Sequence, residues 1–266
     1  MPHTLTGIFN LHQSVRSRFL PAARDIIVYL PPQYSTSPQA RFSVLYMNDG
    51  QNLFDSATAF LGNEWGLDET AEELINAGEI LPIIIVGVYN TGTQRLTEYT
   101  HVRDRARRGG RASAYGKFLV RELKPFIDAE YRTLSGADDT GLGGSSLGGL
   151  VSLYLGLEHS KVFGKLAVMS PSVWWGGRAI LENVRRYRGA EHAKIWLDIG
   201  TAESASGEKT VRDTEDLRDA LIEKGWQLGS NLSYLRDHGA GHNERAWGSR
   251  IRDALKFLFP PVDPAA

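Results

Sequence analysis

Residues 140–157 run Thr140-Gly141-Leu142-Gly143-Gly144-Ser145-Ser146-Leu147-Gly148-Gly149-Leu150-Val151-Ser152-Leu153-Tyr154-Leu155-Gly156-Leu157. The segment opens as a short strand over Thr140–Gly143. It crosses a glycine-rich turn and continues as a helix over Leu147–Leu157, with apolar residues three and four apart. Within the turn, Gly144-Ser145-Ser146-Leu147-Gly148 fits G-x-S-x-G, the pattern that lifts a serine above a strand-to-helix junction. Among 28 glycines in 266 residues so short a match can arise by chance, so the strand before it and the helix after it must decide, and both are present. The turn forces its serine into an uncommon backbone conformation. Gly144 and Gly148 supply the small neighbours this needs, with Gly143 and Gly149 adding room. The helix N-terminus behind Ser146 brings partial positive charge to the place where an oxyanion would form. Ser145 lacks the two-residue offsets to glycine, so Ser146 is the candidate nucleophile. Other glycine motifs fail on spacing. A dinucleotide fingerprint starting at Gly141 needs glycine at 146, and a phosphate-binding loop needs lysine where Gly149 or Leu150 stands.

Outward from this segment, short apolar runs alternate with longer amphipathic ones. Arg24–Leu30, Phe42–Met47, Pro82–Tyr89, Lys165–Met169, Lys194–Ile199 and Leu232–Arg236 read as strands. Leu67–Ala77, Tyr115–Glu130, Val211–Lys224 and Glu244–Phe259 read as helices. Pro82–Tyr89 is apolar throughout, as a strand covered on both faces should be. The alternation predicts an α/β class and, with the serine turn, the α/β-hydrolase fold: a mostly parallel, doubly wound sheet flanked by helices. With no repeat and no low-complexity linker, residues 1–266 are expected to form one domain. No long helical insertion is evident between the serine turn and Lys194, so no large cap is expected. Active groups on such a sheet lie just beyond the carboxyl ends of the strands.

Composition narrows the chemistry. Net charge is −1 and the sequence pI is about 6.7, so no basic field exists to hold nucleic acid or an anionic membrane. No run approaches the roughly 18 apolar residues of a membrane span. The start, Met1-Pro2-His3-Thr4-Leu5-Thr6, lacks a signal peptide's basic and apolar regions, and a cytoplasmic location is expected. The absence of cysteine excludes disulfides, thiolate metal sites and a cysteine nucleophile. No metal or organic cofactor is expected, and nothing in the composition bears on oligomeric state.

A serine nucleophile needs a base, and in this fold the base follows the last strand. Of the histidines after Ser146, His159 ends the helix and His192 precedes a strand. His238 and His242 remain, in Asp237-His238-Gly239-Ala240-Gly241-His242-Asn243-Glu244. His242 sits beyond a flexible glycine pair and just before the final helix, and is the expected base. The acid should follow Lys194–Ile199. Glu203 stands in that loop, ahead of Asp198 within the strand and of Asp213, Asp216 and Asp237. Trp174 and Trp175 follow Lys165–Met169 at a place suited to pocket lining or to core packing. The long connection 90–112 carries five arginines against one aspartate between 103 and 111, a local charge of +4. A solvated loop and a substrate-facing lid are both consistent with it.

Taken together the residues resemble the putative-esterase family of α/β hydrolases, which includes siderophore, acetylxylan and feruloyl esterases, S-formylglutathione hydrolases and mycolyl transferases. The resemblance runs from about Asp25 to Phe259. It is carried by Tyr46-Met47-Asn48-Asp49-Gly50-Gln51-Asn52-Leu53-Phe54, Arg95-Leu96-Thr97-Glu98-Tyr99-Thr100, Gly143–Gly149, Ser170-Pro171-Ser172-Val173-Trp174-Trp175, Asp198–Glu203 and Gly241-His242-Asn243-Glu244. It implies a Ser146–Glu203–His242 triad and an oxyanion hole of two backbone N–H groups, from Leu147 and from the Asp49-Gly50-Gln51 loop, with Gln51 preferred. Arg95, Glu98 and Tyr99 belong near such a site. The implied activity is hydrolysis of esters of small, carbohydrate or siderophore type. An acyltransferase, or a non-catalytic carbohydrate- or siderophore-binding relative, is the alternative.

Overall fold

Ile83–Val88 (β4) is buried at every position and feeds two cores at once. Ile84, Val86 and Val88 point into one hydrophobic cluster, Ile83 and Ile85 into another. The period-2 alternation of a strand produces this division. Ser43–Asn48 (β3) divides likewise, with Val44 and Tyr46 on one side and Leu45 and Met47 on the other. Each such aliphatic side chain contributes about 1.5–3 kcal/mol on burial, which is why the central strands are apolar without interruption.

The structure is a computed structural model describing residues 3–104, 106, 109–189, 193–203 and 207–261. Its remaining strands are Ile8–Val15 (β1), Arg24–Leu30 (β2), Thr140–Ser145 (β5), Lys165–Met169 (β6), Lys194–Gly200 (β7) and Leu232–Asp237 (β8). They form one eight-stranded sheet in the order β1-β2-β4-β3-β5-β6-β7-β8. β2 runs antiparallel to both β1 and β4, and every pairing from β4 through β8 is parallel.

Helices cover both faces. Leu67–Asn76 (α1) and Glu244–Leu258 (α7) pack on one. Ala112–Phe118 (α2), Lys124–Glu130 (α3), Leu147–Glu158 (α4), Trp175–Arg186 (α5) and Gly207–Glu223 (α6) belong to the other. This mostly parallel sheet flanked by helices is the α/β-hydrolase architecture. No helix among the described residues is long and apolar enough to cross a membrane.

Three elements differ from the sequence reading. β1 was not legible: as an edge strand it exposes Ile8 and Leu11 and shows no clean alternation. α5 was also missed, because its first turn holds Gly176, Gly177 and Arg178 at positive φ. It lies in the interval read as free of a long helical insertion, and it packs beside α4 and α6 as the β6–β7 crossover. The stretch read as one helix over Tyr115–Glu130 is α2 and α3 joined through a π-helical turn, Leu119–Leu123. Pro125 has no N–H to return to residue 121, which loosens the regular ladder there.

Candidate active site

The site is assembled at the carboxyl ends of the parallel strands. Ser146 stands between β5 and α4 with φ 58 and ψ −121, a conformation costly for a residue bearing a Cβ. Surrounding contacts hold it there. Its N–H donates to the Met169 carbonyl at 3.0 Å, and its carbonyl accepts from the N–H groups of Leu150 at 3.0 Å and Ser172 at 3.1 Å. The tight packing is what requires glycine at 149, where a Cβ would stand 2.8 Å from the Met169 carbonyl oxygen. From this turn the Ser146 hydroxyl lies 2.9 Å from His242 Nε2 and 3.3 Å from the Ser172 hydroxyl.

His242 arrives on the loop after β8. Asn243 then caps α7, its side chain accepting from the Ala246 N–H at 3.0 Å. The imidazole meets the Trp247 indole edge-on, with centroids 4.9 Å apart. Its Nδ1 lies 2.8 Å from Glu203 Oε2. The loops carrying Glu203 and His242 are stitched together by Thr201 N–H to the Asp237 carbonyl, Ala202 N–H to the Ala240 carbonyl (both 2.9 Å) and Gly239 N–H to the Thr201 hydroxyl (2.8 Å). The Glu203 carboxylate is almost fully buried. Its Oε1 accepts from the Gly200 N–H at 2.8 Å and from the Ser170 hydroxyl. Asp198, the alternative acid in the sequence reading, is engaged elsewhere. It accepts from the Trp196 indole at 2.8 Å and pairs with Arg250 at 3.1 Å. Burial pushes its carboxyl up to about 6 against the pull of Arg250. His238 is exposed in the same loop, and His192 lies outside the described residues.

A cleft of about 520 Å³ opens over Ser146 and His242, lined further by Asp49, Gln51, Arg95 and Phe60. Gly50 lies so close to β4 that a Cβ would fall 2.4 Å from the Gly87 carbonyl carbon. This contact presses the turn bearing Gln51 against the sheet beside Ser146. Asp49 takes a left-handed conformation, φ 60, held by two hydrogen bonds from Arg95 and one of 2.8 Å from the Asn90 amide. Arg95 also lies over the Tyr99 ring at 5.2 Å. Burial works against its charge, but the Asp49 carboxylate outweighs it and holds the guanidinium more firmly protonated than usual. Glu244, given no role in the sequence reading, borders the same cleft. Burial raises its carboxyl above the ordinary range.

The tryptophan pair divides. Trp174 is 40% exposed and lines a smaller hollow of about 190 Å³ with Ser172, Ile199, Glu203 and His242. Trp175 is wholly buried, its indole donating to the Val102 carbonyl at 3.0 Å. The expectation that it lines the pocket is therefore corrected: it packs under the 100s segment. Glu98 is also internal, joined to buried Arg24 by two 3.0 Å hydrogen bonds. Of the arginine-rich stretch, Arg105, Arg107 and Arg108 lie outside the described residues, while Gly110 N–H is held by the Thr100 hydroxyl at 2.8 Å. Among the described residues no cluster of three or more His, Asp or Glu side chains is disposed to hold a metal.

A strand-to-helix serine within reach of a histidine, itself backed by a buried carboxylate, is the constellation of serine hydrolases on the α/β-hydrolase fold. The family model described as "Putative esterase" matches residues 17–258, and the chain belongs to that family. It is a carboxylic ester hydrolase. The uncharacterized protein YjcH of Bacillus subtilis (strain 168) is 34% identical over 189 residues, 71% of each chain. An IroE-like serine hydrolase from Shewanella oneidensis superposes with a TM-score of 0.75 at 22% identity, over 95% of this chain and 80% of that one. The enterobactin esterase of Shigella flexneri, solved in the presence of enterobactin, gives 0.74 at 19% identity, over 97% of this chain and 60% of that one. At these identities the two structures speak to the fold.

Proposed function

We propose that the chain hydrolyses soluble carboxylic esters of small, carbohydrate or siderophore type through an acyl-enzyme on Ser146, with His242 as general base and Glu203 as the triad acid. The observation that carries this reading is the unbroken relay from the Ser146 hydroxyl to His242 Nε2, and from Nδ1 to Glu203, at 2.9 and 2.8 Å. Ser146 attacks the ester carbonyl as Nε2 accepts its proton. Glu203 keeps the Nδ1 proton in place and stabilises the imidazolium. The N–H groups of Leu147 and Gln51 receive the oxyanion, where a preorganised donor is worth about 10²–10³ in rate. His242 then protonates the leaving alcohol as the tetrahedral intermediate collapses. Water, deprotonated by His242, discharges the acyl group and restores the serine.

The cleft supports the substrate class. Its floor is polar, with Asn52, Asn90 and the Asp49–Arg95 pair, and its rim carries exposed Phe60. Trp174 stands exposed on the far side of His242. Such a site suits a ligand of mixed ring and polar character more than a long lipid chain. Neither nucleic acid nor membrane is a partner in this reading.

A fluorophosphonate should label the wild type and not Ser146→Ala, and the same substitution should abolish ester turnover. A kcat/KM panel of p-nitrophenyl acetate, butyrate and octanoate against acetylated xylan, methyl ferulate, S-formylglutathione and a ferric catecholate ester then ranks substrates. Products analysed with and without a sugar acceptor separate hydrolysis from acyl transfer. Undiminished turnover by Ser146→Ala would defeat the reading.

A further inference from the structure

Immediately behind Glu203, at the end of β6, Ser170 is 1% exposed and takes a positive φ of 40. Its backbone N–H is held by both the carbonyl and the carboxylate of Asp198, at 3.1 and 3.0 Å. Its hydroxyl oxygen receives the Trp247 indole N–H at 3.0 Å and an Arg250 Nη2 N–H at 2.8 Å. A hydroxyl has two acceptor sites and one hydrogen. With both acceptor sites filled by groups that only donate, the hydrogen is left a single acceptor within reach, Glu203 Oε1. The Ser170 bond is thus polarised in one direction by two residues of α7, the helix that follows His242.

We infer that Ser170 is a positioning residue of the catalytic triad: its hydroxyl, oriented by Trp247 and Arg250, donates to Glu203 Oε1 and so fixes the direction of that carboxylate. The inference rests on Glu203 being the triad acid. With Oε1 occupied by Ser170 and the Gly200 N–H, Oε2 is turned to His242. Arg250 approaches Oε1 only to 3.8 Å, because its Nη2 is shared between Ser170 and Asp198.

The signature is in the pH profile. The charged groups around the Glu203–His242 pair are Arg250 and, beside it, Asp198 and Asp237, with Glu244 on the far side of the imidazole. Removing a donor from Glu203 makes the pair more basic as a unit, so its first proton binds at higher pH and the acidic limb of activity moves up.

The test compares Ser170→Ala, Ser170→Thr, Glu203→Gln and Ser170→Ala/Glu203→Gln, assayed on p-nitrophenyl acetate from pH 5 to 10. Ser170→Ala should lower kcat about tenfold, the scale of one hydrogen bond to a charged group. KM should stay unchanged and the acidic limb of kcat/KM should rise by about half a pH unit or more. Ser170→Thr, which keeps the hydroxyl, should restore the limb. In the Glu203→Gln background, losing the hydroxyl should change kcat less than about twofold. An unmoved limb, a loss that adds in full to Glu203→Gln, or a change in KM alone would overturn the inference. If the alanine variant does not fold, Ser170→Cys, a weak donor, must move the limb the same way or the inference fails. The two readings fail separately: turnover by Ser146→Ala defeats the triad, whereas an unmoved limb with Ser146→Ala inactive defeats only the role of Ser170.

Discussion

Asp49 and Arg95 are joined by two parallel hydrogen bonds, Nε to Oδ1 and Nη2 to Oδ2, both 2.7 Å long. The pair braces the left-handed residue immediately before Gly50 and Gln51, so its loss should be felt in chemistry as well as in stability. Arg95→Leu leaves the Asp49 carboxylate, only 7% exposed, without its fork. The expected cost is about 2 kcal/mol in urea unfolding, below the figure for a fully buried pair because 27% of the arginine side chain remains in water. Turnover should fall as well, through the displaced Gln51 N–H. Unaltered kcat would show that the brace serves stability alone.

Gly50→Ala separates these effects. A methyl 2.4 Å from the Gly87 carbonyl carbon must push the turn off the sheet. A displacement near 1 Å at an oxyanion donor corresponds to about a hundredfold in rate. Steady-state kinetics should therefore show a large loss in kcat, with the circular dichroism spectrum preserved.

The adjacent tryptophans should give opposite phenotypes. Trp174→Ala removes a half-exposed ring beside His242 and should raise KM several-fold for ring-bearing esters, with little change in Tm. Trp175→Phe removes the buried donor to the Val102 carbonyl and should cost about 1–2 kcal/mol of stability with KM unchanged. Swapped outcomes would reverse the two assignments.

Asp68, at the start of α1, is fully buried, and its carboxylate accepts from the Thr6 N–H at 2.7 Å. Burial, reinforced by a hydrogen bond with Glu69, raises its carboxyl to about 8. The folded protein therefore keeps a proton that the unfolded chain has released between about pH 4 and pH 8. Stability contributed by this site must fall as pH rises through that window, by at most about 1.4 kcal/mol per unit, and level off above it. Asn at 68 cannot titrate. Urea unfolding of Asp68→Asn and wild type at pH 5, 7 and 9 should show the variant gaining on wild type at each step, and a constant difference would refute the assignment.

Much of this architecture is legible in the chain because the central strands need no partner to be recognised. Ile83–Val88 and the turn around Ser146 are dictated by local sequence: one by continuous burial, the other by glycines that a strained serine requires. What escaped was set by distant contacts. β1 is an edge strand whose half-exposed residues resemble a loop until β2 is beside them. Trp175 could not be assigned from its own sequence, since the Val102 carbonyl that fixes it lies 73 positions away. Ser170 looked like the first residue of a loop, and its part emerges only when α7 brings Trp247 and Arg250 onto it.

Ser146 and His242, the proposed nucleophile and base, are 96 positions apart in the chain, and His242 lies just before the helix that comes last in sequence. On the proposed triad, Ser146 has no base until the loop between β8 and α7 lies against it. Hydrolysis therefore requires the loop before α7 to be seated against Ser146, and a fluorogenic ester added to refolding protein reports that docking independently of any signal from the strands.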